Sequence, residues 1–230
     1  MKGEIQVEMC NRQLAIDNFD NMINYESQCE WTKEKVYRKS CVTKVLVDKH
    51  IKWRGIFGKI DINAKISKVI SEVLKTFNID VNSPKWLIEN IESSSIHFFN
   101  EVDKENYGKA IKQINFSDFV AWTHNCVKSP FSFIQNRDAV GVLYVKQINN
   151  KTYITMKSVK AAQCKGYTRS TIINQHFTFE ETKGKTTLAS FLLCDPGGQV
   201  PSFAYNMALE ARNDILVDLK QMIESERKTS

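Results

Sequence analysis

Apolar positions along the 230-residue chain repeat with two different periods, and the period separates predicted helices from predicted strands. A spacing of three and four residues predicts helices over 10–27 and 62–77, and a long amphipathic helix over 203–223. Runs rich in Val, Ile and aromatic residues predict strands over 36–47, 49–60, 95–102, 107–114 and/or 119–127, 138–147, 152–159, 170–179 and 186–194.

Turn-forming residues separate several of these elements. Asn149-Asn150 and Lys183-Gly184 each join two predicted strands, which indicates antiparallel pairing. Asp195-Pro196-Gly197-Gly198 breaks the chain before the last helix, and Pro201 suits that helix's first turn. We interpret Asp195 as a cap for the amides of this turn rather than as a catalytic acid. The element order predicts an α+β fold, in which a curved antiparallel sheet wraps around the C-terminal helix.

Several predicted strands carry apolar residues on both faces, with small and polar residues mixed among them. This holds for 139–146 and 171–179, where a strand with one core face and one water face would alternate more cleanly. The mixture suits a sheet curled around a cavity, although a tightly packed sheet would show the same mixture. The sequence has neither internal repeats nor a Pro/Gly-rich linker, so we expect one domain over 1–230.

The formal net charge of +6 comes from one segment. Residues 31–60 hold nine basic and two acidic side chains, whereas the rest of the chain has one more acidic than basic residue. The segment is either a solvated strand face or a surface that attracts anionic lipid headgroups. In the second case Arg38, Lys39, Lys52 and Arg54 contact membranes. We do not expect nucleic acid as a partner, because the aromatic stacking motifs of the usual RNA-binding modules are missing.

The residue types needed for metal, disulfide or catalytic chemistry are not grouped along the sequence. The six cysteines and four histidines show no short ligand spacing, so we predict no metal site and expect reduced thiols in a cytoplasmic protein. No run approaches the roughly 18 apolar residues of a membrane span. GxSxG, P-loop, GxGxxG and HExxH motifs are absent, so neither an enzyme nor a bound cofactor is expected. Arg137-Asp138 is interpreted as a structural charge pair.

Three motifs, in order along the chain, resemble those of the START (StAR-related lipid transfer) domain. The first is Val127-Lys128-Ser129-Pro130-Phe131, followed by Asn136-Arg137-Asp138-Ala139-Val140. The second is Gly166-Tyr167-Thr168-Arg169, just before a strand, and Trp86 falls where the family commonly has a tryptophan. The third and most specific is Asp195-Pro196-Gly197-Gly198-Gln199-Val200-Pro201-Ser202, followed by Asn206.

This resemblance implies a helix-grip fold with an internal lipid cavity and a monomeric carrier. Such a carrier holds one lipid and moves it through the cytosol, with transient membrane association. The motif wording is nearest to the phosphatidylcholine transfer protein branch, which favours a phospholipid over a sterol. Ala139 replaces an aromatic residue of that branch, and Leu143 replaces an arginine of the sterol-carrying branch. Two alternatives remain open: a lipid-regulated sensor or scaffold without transfer, and a helix-grip enzyme acting on an apolar substrate.

The resemblance also implies which residues line the cavity and its gate. These are Trp122, Arg137, Ala139, Leu143, Ile173, Phe177, Phe191, Phe203, Met207, Ala211 and Ile215. We expect the helix over 203–223 to open as the gate, with Gly197-Gly198 as its hinge, and Met207 and Ala211 to face the ligand.

Overall fold

The computed structural model describes residues 10–47, 53–79, 91–129, 131–162 and 164–229. The N-terminal segment forms two short helices, α1 (Cys10–Asp17) and α2 (Phe19–Asn24), followed by a 3₁₀ turn (Tyr25–Gln28). The sequence predicts one continuous helix here, and the break falls at Asn18, whose side chain donates to the Leu14 carbonyl. Such a local hydrogen bond competes with regular helix pairing.

The other elements mostly follow the predicted order of strands and helices. They are β1 (Lys35–Tyr37), β2 (Cys41–Val45), β3 (Ile56–Ile62), α3 (Ile66–Lys75), β4 (Ile91–Phe98), α4 (Glu101–Ile111), β5 (Phe119–Val127), β6 (Arg137–Ile148), β7 (Lys151–Ser158), β8 (Thr168–Arg169), β9 (Thr171–Thr182), β10 (Lys185–Asp195) and α5 (Ser202–Thr229). The strand predicted over 36–47 is divided, because Arg38 and Lys39 turn the chain with φ of 43° and 62°.

The strands form one curved sheet in the order β1-β2-β3-β10-β9-β7-β6-β5-β4, with β8 beside the start of β6. The pairs along this order are antiparallel, and only the short β8 lies parallel to its neighbour. Asn149, Lys183 and Gly184 adopt φ between 53° and 74° in the two predicted hairpin turns. The predicted α+β helix-grip architecture is confirmed.

The alternative strand over 107–114 is wrong, because residues 107–111 belong to helix α4 and residues 112–114 form a turn and irregular structure. The Asn100 side chain caps α4 by accepting the Asp103 amide proton at 2.8 Å. Asp103 is almost fully buried, where it pairs with Arg12 of α1 at 3.0 Å and accepts the Val120 amide proton. These polar contacts hold α4 against the sheet, and its sequence lacks the apolar stripe that would have revealed it.

The two faces of the sheet are covered by different elements. On the inner face, Leu143, Phe177 and Leu188 share one core cluster with Leu216 and Leu219 of α5. The outer face is covered by α1, α2 and the 3₁₀ turn, for example by Phe19, whose ring meets Tyr144 edge-on. The sheet therefore has no face open to water along its centre, which explains why its strands do not alternate cleanly.

Helix α5 approaches the inner face most closely at Gly58 of β3. A Cβ atom placed there would lie 2.6 Å from Asn213 Oδ1 and 2.7 Å from Leu216 Cδ1, so a larger residue would force these two side chains of α5 to move. Asn213 then donates to Thr43 Oγ1 of β2 at 2.9 Å. These contacts fix the rotation of α5 about its own axis.

Candidate lipid site

The inner face of α5 follows alternating steps of four and three residues. The buried apolar residues along this line are Tyr205, Leu209, Leu216, Leu219 and Ile223, and Ala204 and Val217 next to it are buried as well. Between Leu209 and Leu216 the pattern of three- and four-residue steps includes one more inward position, and this position is occupied by Arg212. A helix of 3.6 residues per turn keeps such a stripe on one side.

The predicted inward face of α5 is wrong over its first half. The series Phe203, Met207, Ala211, Ile215 advances by four residues each time, which rotates about 40° per step around the helix axis. In the structure Phe203 and Met207 are each 55% exposed, Ala211 is exposed, and Ile215 is partly buried. Met207 and Ala211 therefore point away from the space between helix and sheet.

Three further predicted cavity residues lie on the outer face of the sheet. Trp122 stacks on His97 there, with 4.0 Å between ring centroids. It also packs against the outer-face cluster that contains Phe19 and Tyr144. Phe191 is fully buried between Trp31 and Tyr25. Ile173 packs on the outer face against the cluster that contains Phe191, because a bulge shifts the register of β9 against β10 between Leu193 and Cys194. An extra residue in a strand reverses the side-chain alternation beyond it.

The remaining predicted residues lie on the inner side of the sheet or at its end. Leu143 and Phe177 belong to the inner core cluster, and Ala139 packs against it. Arg137 donates to the carbonyls of Gln135, Pro196 and Gly197, with Nε 2.6 Å from the Pro196 oxygen. The Arg137 side chain therefore anchors the segment that leads into α5. Ligand contact by these residues stays a prediction.

The segment before α5 is held in one conformation by several contacts. Asp195 accepts the Gly197 amide proton at 2.8 Å, as interpreted from the sequence. Gly197 has φ of 68°, and a Cβ atom there would lie 2.2 Å from the Arg169 carbonyl oxygen. Tyr205 donates to the carbonyls of Arg54 and Cys194, which ties the first turns of α5 to β10 and to the segment just before β3. Any opening of α5 must break these bonds.

A cleft of about 680 Å³ opens beside the N-terminus of α5; we call it the mouth. It is lined by Trp53, Phe133, Ile134 and the segment 198–202. Three phenylalanine side chains stand at its edge: Phe131 contacts both Phe133 and Phe203, at 5.5 and 5.7 Å between ring centroids. Phe133 is 68% exposed and Phe203 55%. Neighbouring exposed aromatic side chains of this kind are typical of a site that binds a ligand, a membrane or another protein.

The interior also contains polar groups, gathered around the ring of Phe177. Ser190 of β10 is the direct cross-strand partner of Phe177, and Gln175 lies two residues before it on the same face of β9. The guanidinium carbon of Arg212 is 5.6 Å from the centre of the Phe177 ring. We call Gln175, Ser190 and Arg212 the Phe177 polar cluster. Burial lowers the pKa of Arg212 to about 10, so the guanidinium is still charged at neutral pH.

Among the described residues of the basic segment 31–60, the positive side chains have different surroundings. Arg38 pairs with Asp214 of α5 at 2.9 Å and approaches Asp218 at 4.0 Å, which neutralises much of its charge. Lys39 is exposed in the same turn, and Arg54 is exposed beside the mouth residue Trp53. Lys52 lies outside the described residues. The predicted contact of these side chains with a membrane stays a prediction.

A second polar group lies on the outer face, around Asp138. Burial opposes ionisation of Asp138, but the hydrogen bonds from Arg169 outweigh it and lower the pKa of the carboxyl. The partner of Asp138 is thus Arg169 and not the adjacent Arg137, which corrects the predicted charge pair. His124 Nε2 lies 3.4 Å from Asp138 Oδ2.

The fold brings together three residues of metal-ligating type that the sequence keeps apart. The ligand atoms of His124, Cys126 and Cys164 all lie within 4.8 Å of one another. Burial lowers the pKa of His124, which keeps its imidazole neutral, and raises the pKa of the Cys126 thiol. The nearest carboxylate is that of Asp138, which is already paired with the Arg169 cation. The described residues therefore offer three ligands, and sequence spacing gave no sign of them.

Comparison with known proteins identifies the fold. No family model matches the sequence, and no curated protein matches it significantly. Among solved structures, human StAR-related lipid transfer protein 5 superposes with a TM-score of 0.70 at 14% identity, over 94% of this chain and 97% of that one. Human STARD10 gives 0.63 at 14% identity, over 97% of this chain and 82% of that one.

A bacterial structure extends the comparison. A STAR-related lipid transfer protein from Xanthomonas axonopodis gives a TM-score of 0.62 at 16% identity, over 84% of this chain and 98% of that one. Among the described helices, none is both long and apolar enough to cross a membrane. The superpositions on these solved structures show that the chain has the fold of the StAR-related lipid transfer domains.

Proposed function

We propose that this protein binds one lipid between its sheet and α5 and transfers it between membranes through the cytosol as a monomer. The observation that carries the proposal is the mouth, an open cleft rimmed by exposed phenylalanine side chains at one end of the gripped helix. The shared fold supports it, because two of the solved structures named above, those from human and Xanthomonas axonopodis with TM-scores of 0.70 and 0.62, are named as StAR-related lipid transfer proteins. We further propose a phospholipid rather than a sterol, in keeping with the START motifs of the sequence.

Such a carrier lowers a kinetic barrier rather than shifting an equilibrium. Moving an acyl chain into water costs about 0.8 kcal/mol per methylene group, or roughly 10 kcal/mol and more for a full chain. A bilayer and a protein interior are both apolar, so the equilibrium between them changes little. The protein must therefore open while its mouth touches the membrane and close when it leaves.

The exposed rim of the mouth offers a membrane contact of suitable chemistry. Phe133 and Phe203 can each enter the boundary between headgroups and acyl chains, and full burial of one such side chain contributes about 1.5–3 kcal/mol. Arg54 and Lys128 are exposed at the same end and would attract anionic headgroups. These features support a membrane contact at the mouth that includes Arg54, whereas Arg38 pairs with Asp214 of α5.

The segment 195–201 is the hinge of this proposal. Rotation of α5 away from the mouth requires loss of the Tyr205 bonds and of the Arg137 bonds to Pro196 and Gly197. These are few and lie at the end that would face the membrane. The opposite half of α5 stays packed through Leu216, Leu219 and Ile223.

The test is a vesicle assay with a fluorescent phospholipid that is quenched in donor vesicles and dequenched on transfer to acceptors. The double variant Phe133→Ser/Phe203→Ser should transfer about tenfold more slowly than the unmodified protein, because the rim no longer enters the membrane. A matched control is Val102→Ser/Ile114→Ser, which removes two side chains of similar exposure (66% and 55%) from a region away from the mouth.

The outcomes separate the proposal from its alternatives. No transfer by the unmodified protein, and no lipid bound to it after incubation with vesicles, would refute the carrier. Lipid bound tightly without release to acceptors would favour a sensor or scaffold. Chemical turnover of the bound lipid would favour an enzyme. Equal slowing by both double variants would show that the rim has no special role.

A further inference from the structure

Arg212 occupies an unusual place for a charged residue. It lies in the middle of the inner stripe of α5, seven residues after Tyr205 and seven before Leu219, both of which are buried. Seven residues are nearly two helical turns, so these three side chains project from the same side of α5. Arg212 therefore points into the space between α5 and the sheet, over the ring of Phe177.

The guanidinium has no counter-charge in this place. Within the described residues, Arg212 makes no ion pair and no side-chain hydrogen bond, and its contact is with the face of the Phe177 ring. The other partly buried arginines all have acceptors, since Arg12 pairs with Asp103, Arg169 pairs with Asp138, and Arg137 donates to backbone carbonyls. A cation surrounded by protein without an anion is costly, and a ring face compensates only part of that cost.

Two neutral polar side chains complete the arrangement. Gln175 and Ser190 are 4% and 3% exposed and, within the described chain, form no side-chain hydrogen bond. Neither they nor Arg212 has a nitrogen or oxygen atom that is both fully enclosed and unbonded, so these atoms border free space. Buried polar groups are normally hydrogen-bonded. Here two buried polar side chains and a partly buried guanidinium lie on the same side of the sheet beside Phe177 without protein partners, which indicates a site whose partner is a ligand.

The chemistry of this cluster selects an acidic oxygen group. Arginine binds phosphate and carboxylate oxygens with two parallel hydrogen bonds, and the hydroxyl of Ser190 and the amide of Gln175 can donate further ones. No carboxylate among the described residues is paired with Arg212, so a zwitterionic ligand would leave a net positive charge inside the protein. A ligand with one negative charge would leave none.

We infer that the Phe177 polar cluster binds the phosphate or carboxylate of an anionic lipid, with Arg212 as its counter-ion. This inference rests on the proposed lipid-carrier function and names the ligand class for it. Phosphatidic acid and a free fatty acid share this chemistry. Phosphatidylcholine satisfies it only in part, and cholesterol not at all.

The test uses the whole protein with vesicles that contain equal amounts of phosphatidic acid, phosphatidylcholine and cholesterol, and in a second arm oleic acid in place of phosphatidic acid. After incubation the protein is re-isolated and its bound lipid is identified by mass spectrometry. We expect phosphatidic acid or oleic acid to exceed phosphatidylcholine and cholesterol. The two arms show whether the acidic group is a phosphate or a carboxylate.

Four variants test whether the preference depends on the cluster. Arg212→Gln should lower the amount of acidic lipid bound by about 10- to 100-fold, because it removes charge-assisted hydrogen bonds. Gln175→Leu should lower it by several fold, since it removes one neutral donor. Lys157→Gln removes an exposed positive charge from β7 and should change nothing. Ligand-free Arg212→Met should melt no lower than the unmodified protein, because it removes an unpaired charge.

The results distinguish this inference from the function on which it rests. If phosphatidylcholine or cholesterol binds as well as the acidic lipids, the carrier stands and the inference falls. Unchanged acidic-lipid binding by Arg212→Gln would also overturn it. If Arg212→Gln proves unstable, Gln175→Leu decides, and a loss of acidic lipid with retained stability supports the site. If no lipid binds in either arm, the carrier itself is refuted.

Discussion

Asp138 lies fully buried at the start of β6, and Arg169 holds its carboxylate with two hydrogen bonds. Nε lies 3.0 Å from Oδ1, and Nη2 lies 2.6 Å from Oδ2. Arg169 also donates to the carbonyls of Ala161 and Ala162, so this pair joins β6, β8 and the loop between β7 and β8. Loss of the carboxylate should therefore affect the folding free energy of the whole sheet.

The change to make is Asp138→Ala. Two charge-assisted hydrogen bonds contribute about 1.5–3 kcal/mol each, and breaking one partner of a buried ion pair costs about 3–5 kcal/mol. Arg169 is 20% exposed and keeps its bonds to two carbonyls, so part of its charge stays solvated. We therefore expect the free energy of unfolding to fall by an amount near the lower end of this range, about 3 kcal/mol.

The assay is urea denaturation at pH 7, with the free energy of unfolding extrapolated to water. The slope with urea should not change, because the variant buries the same surface. In a double-mutant cycle with Arg169→Met, the two changes should couple by at least about 1 kcal/mol, because the second change removes the cation that the first left unpaired. A loss below about 1 kcal/mol for Asp138→Ala, or strict additivity, would refute this reasoning.

The pH dependence of stability follows from the lowered pKa of Asp138. Since the folded pKa is below the unfolded value of about 3.9, the pair stabilises the protein fully above that value. The stabilisation is lost as the pH falls through the lower, folded pKa. The stability difference between the unmodified protein and Asp138→Ala should shrink below about pH 4. A difference that stays constant down to pH 3 would contradict the proposed role of the carboxylate charge.

Three further predictions test the segment before α5, the packing of α2 on the outer face of the sheet, and the charge of Arg54. Gly197→Ala should destabilise the protein by about 1–3 kcal/mol in urea denaturation, because Gly197 has φ of 68° and the new Cβ atom would clash with the Arg169 carbonyl oxygen. An unchanged free energy of unfolding would show that the segment before α5 is not held in this conformation. Phe19→Ala should cost about 3–5 kcal/mol, since this fully buried ring fastens α2 to the outer face; a loss under about 1 kcal/mol would mean that α2 docks loosely. Arg54→Glu should weaken binding to anionic vesicles at low salt and lose this effect near 1 M salt, whereas an effect independent of salt in vesicle sedimentation would argue against an electrostatic contact.

Elements whose local chemistry agrees with the fold could be predicted from the sequence. The hairpin turns at Asn149 and Lys183 need positive φ, and the residues there tolerate it. The break at Gly197 also follows from local requirements. Helix α3 carries its full apolar stripe, and the sequence predicts it within a few residues of its observed bounds.

Helix α4 and the rotation of α5 depend on contacts that no local pattern contains. The buried side of α4 includes Asp103 and Asn106, which are satisfied by Arg12 and by backbone amides distant in sequence. In α5 the inner stripe is interrupted by Arg212, so an apolar series beginning at Phe203 fits the sequence better than the true one. The charged Arg212, at the position where a stripe with steps of three and four residues lacks an apolar residue, was the signal that could have revealed the inner face of α5.

The exchange of inner and outer residues in the sheet has a similar cause. Both faces are buried, so apolar content does not tell them apart, and Trp122 and Phe191 were placed on the wrong one. The bulge that turns Ile173 outward becomes visible only from the register of β9 against β10. The three metal-type ligands around His124 are likewise brought together by strand pairing and a loop, at separations that no motif describes.

The most direct test of the lipid-carrier account is native mass spectrometry of the intact protein after incubation with phospholipid vesicles. The account predicts one added lipid per chain, in a monomer, and loss of that added mass when acceptor vesicles are supplied. A spectrum that shows only the bare chain, under conditions where the protein is folded, would contradict it.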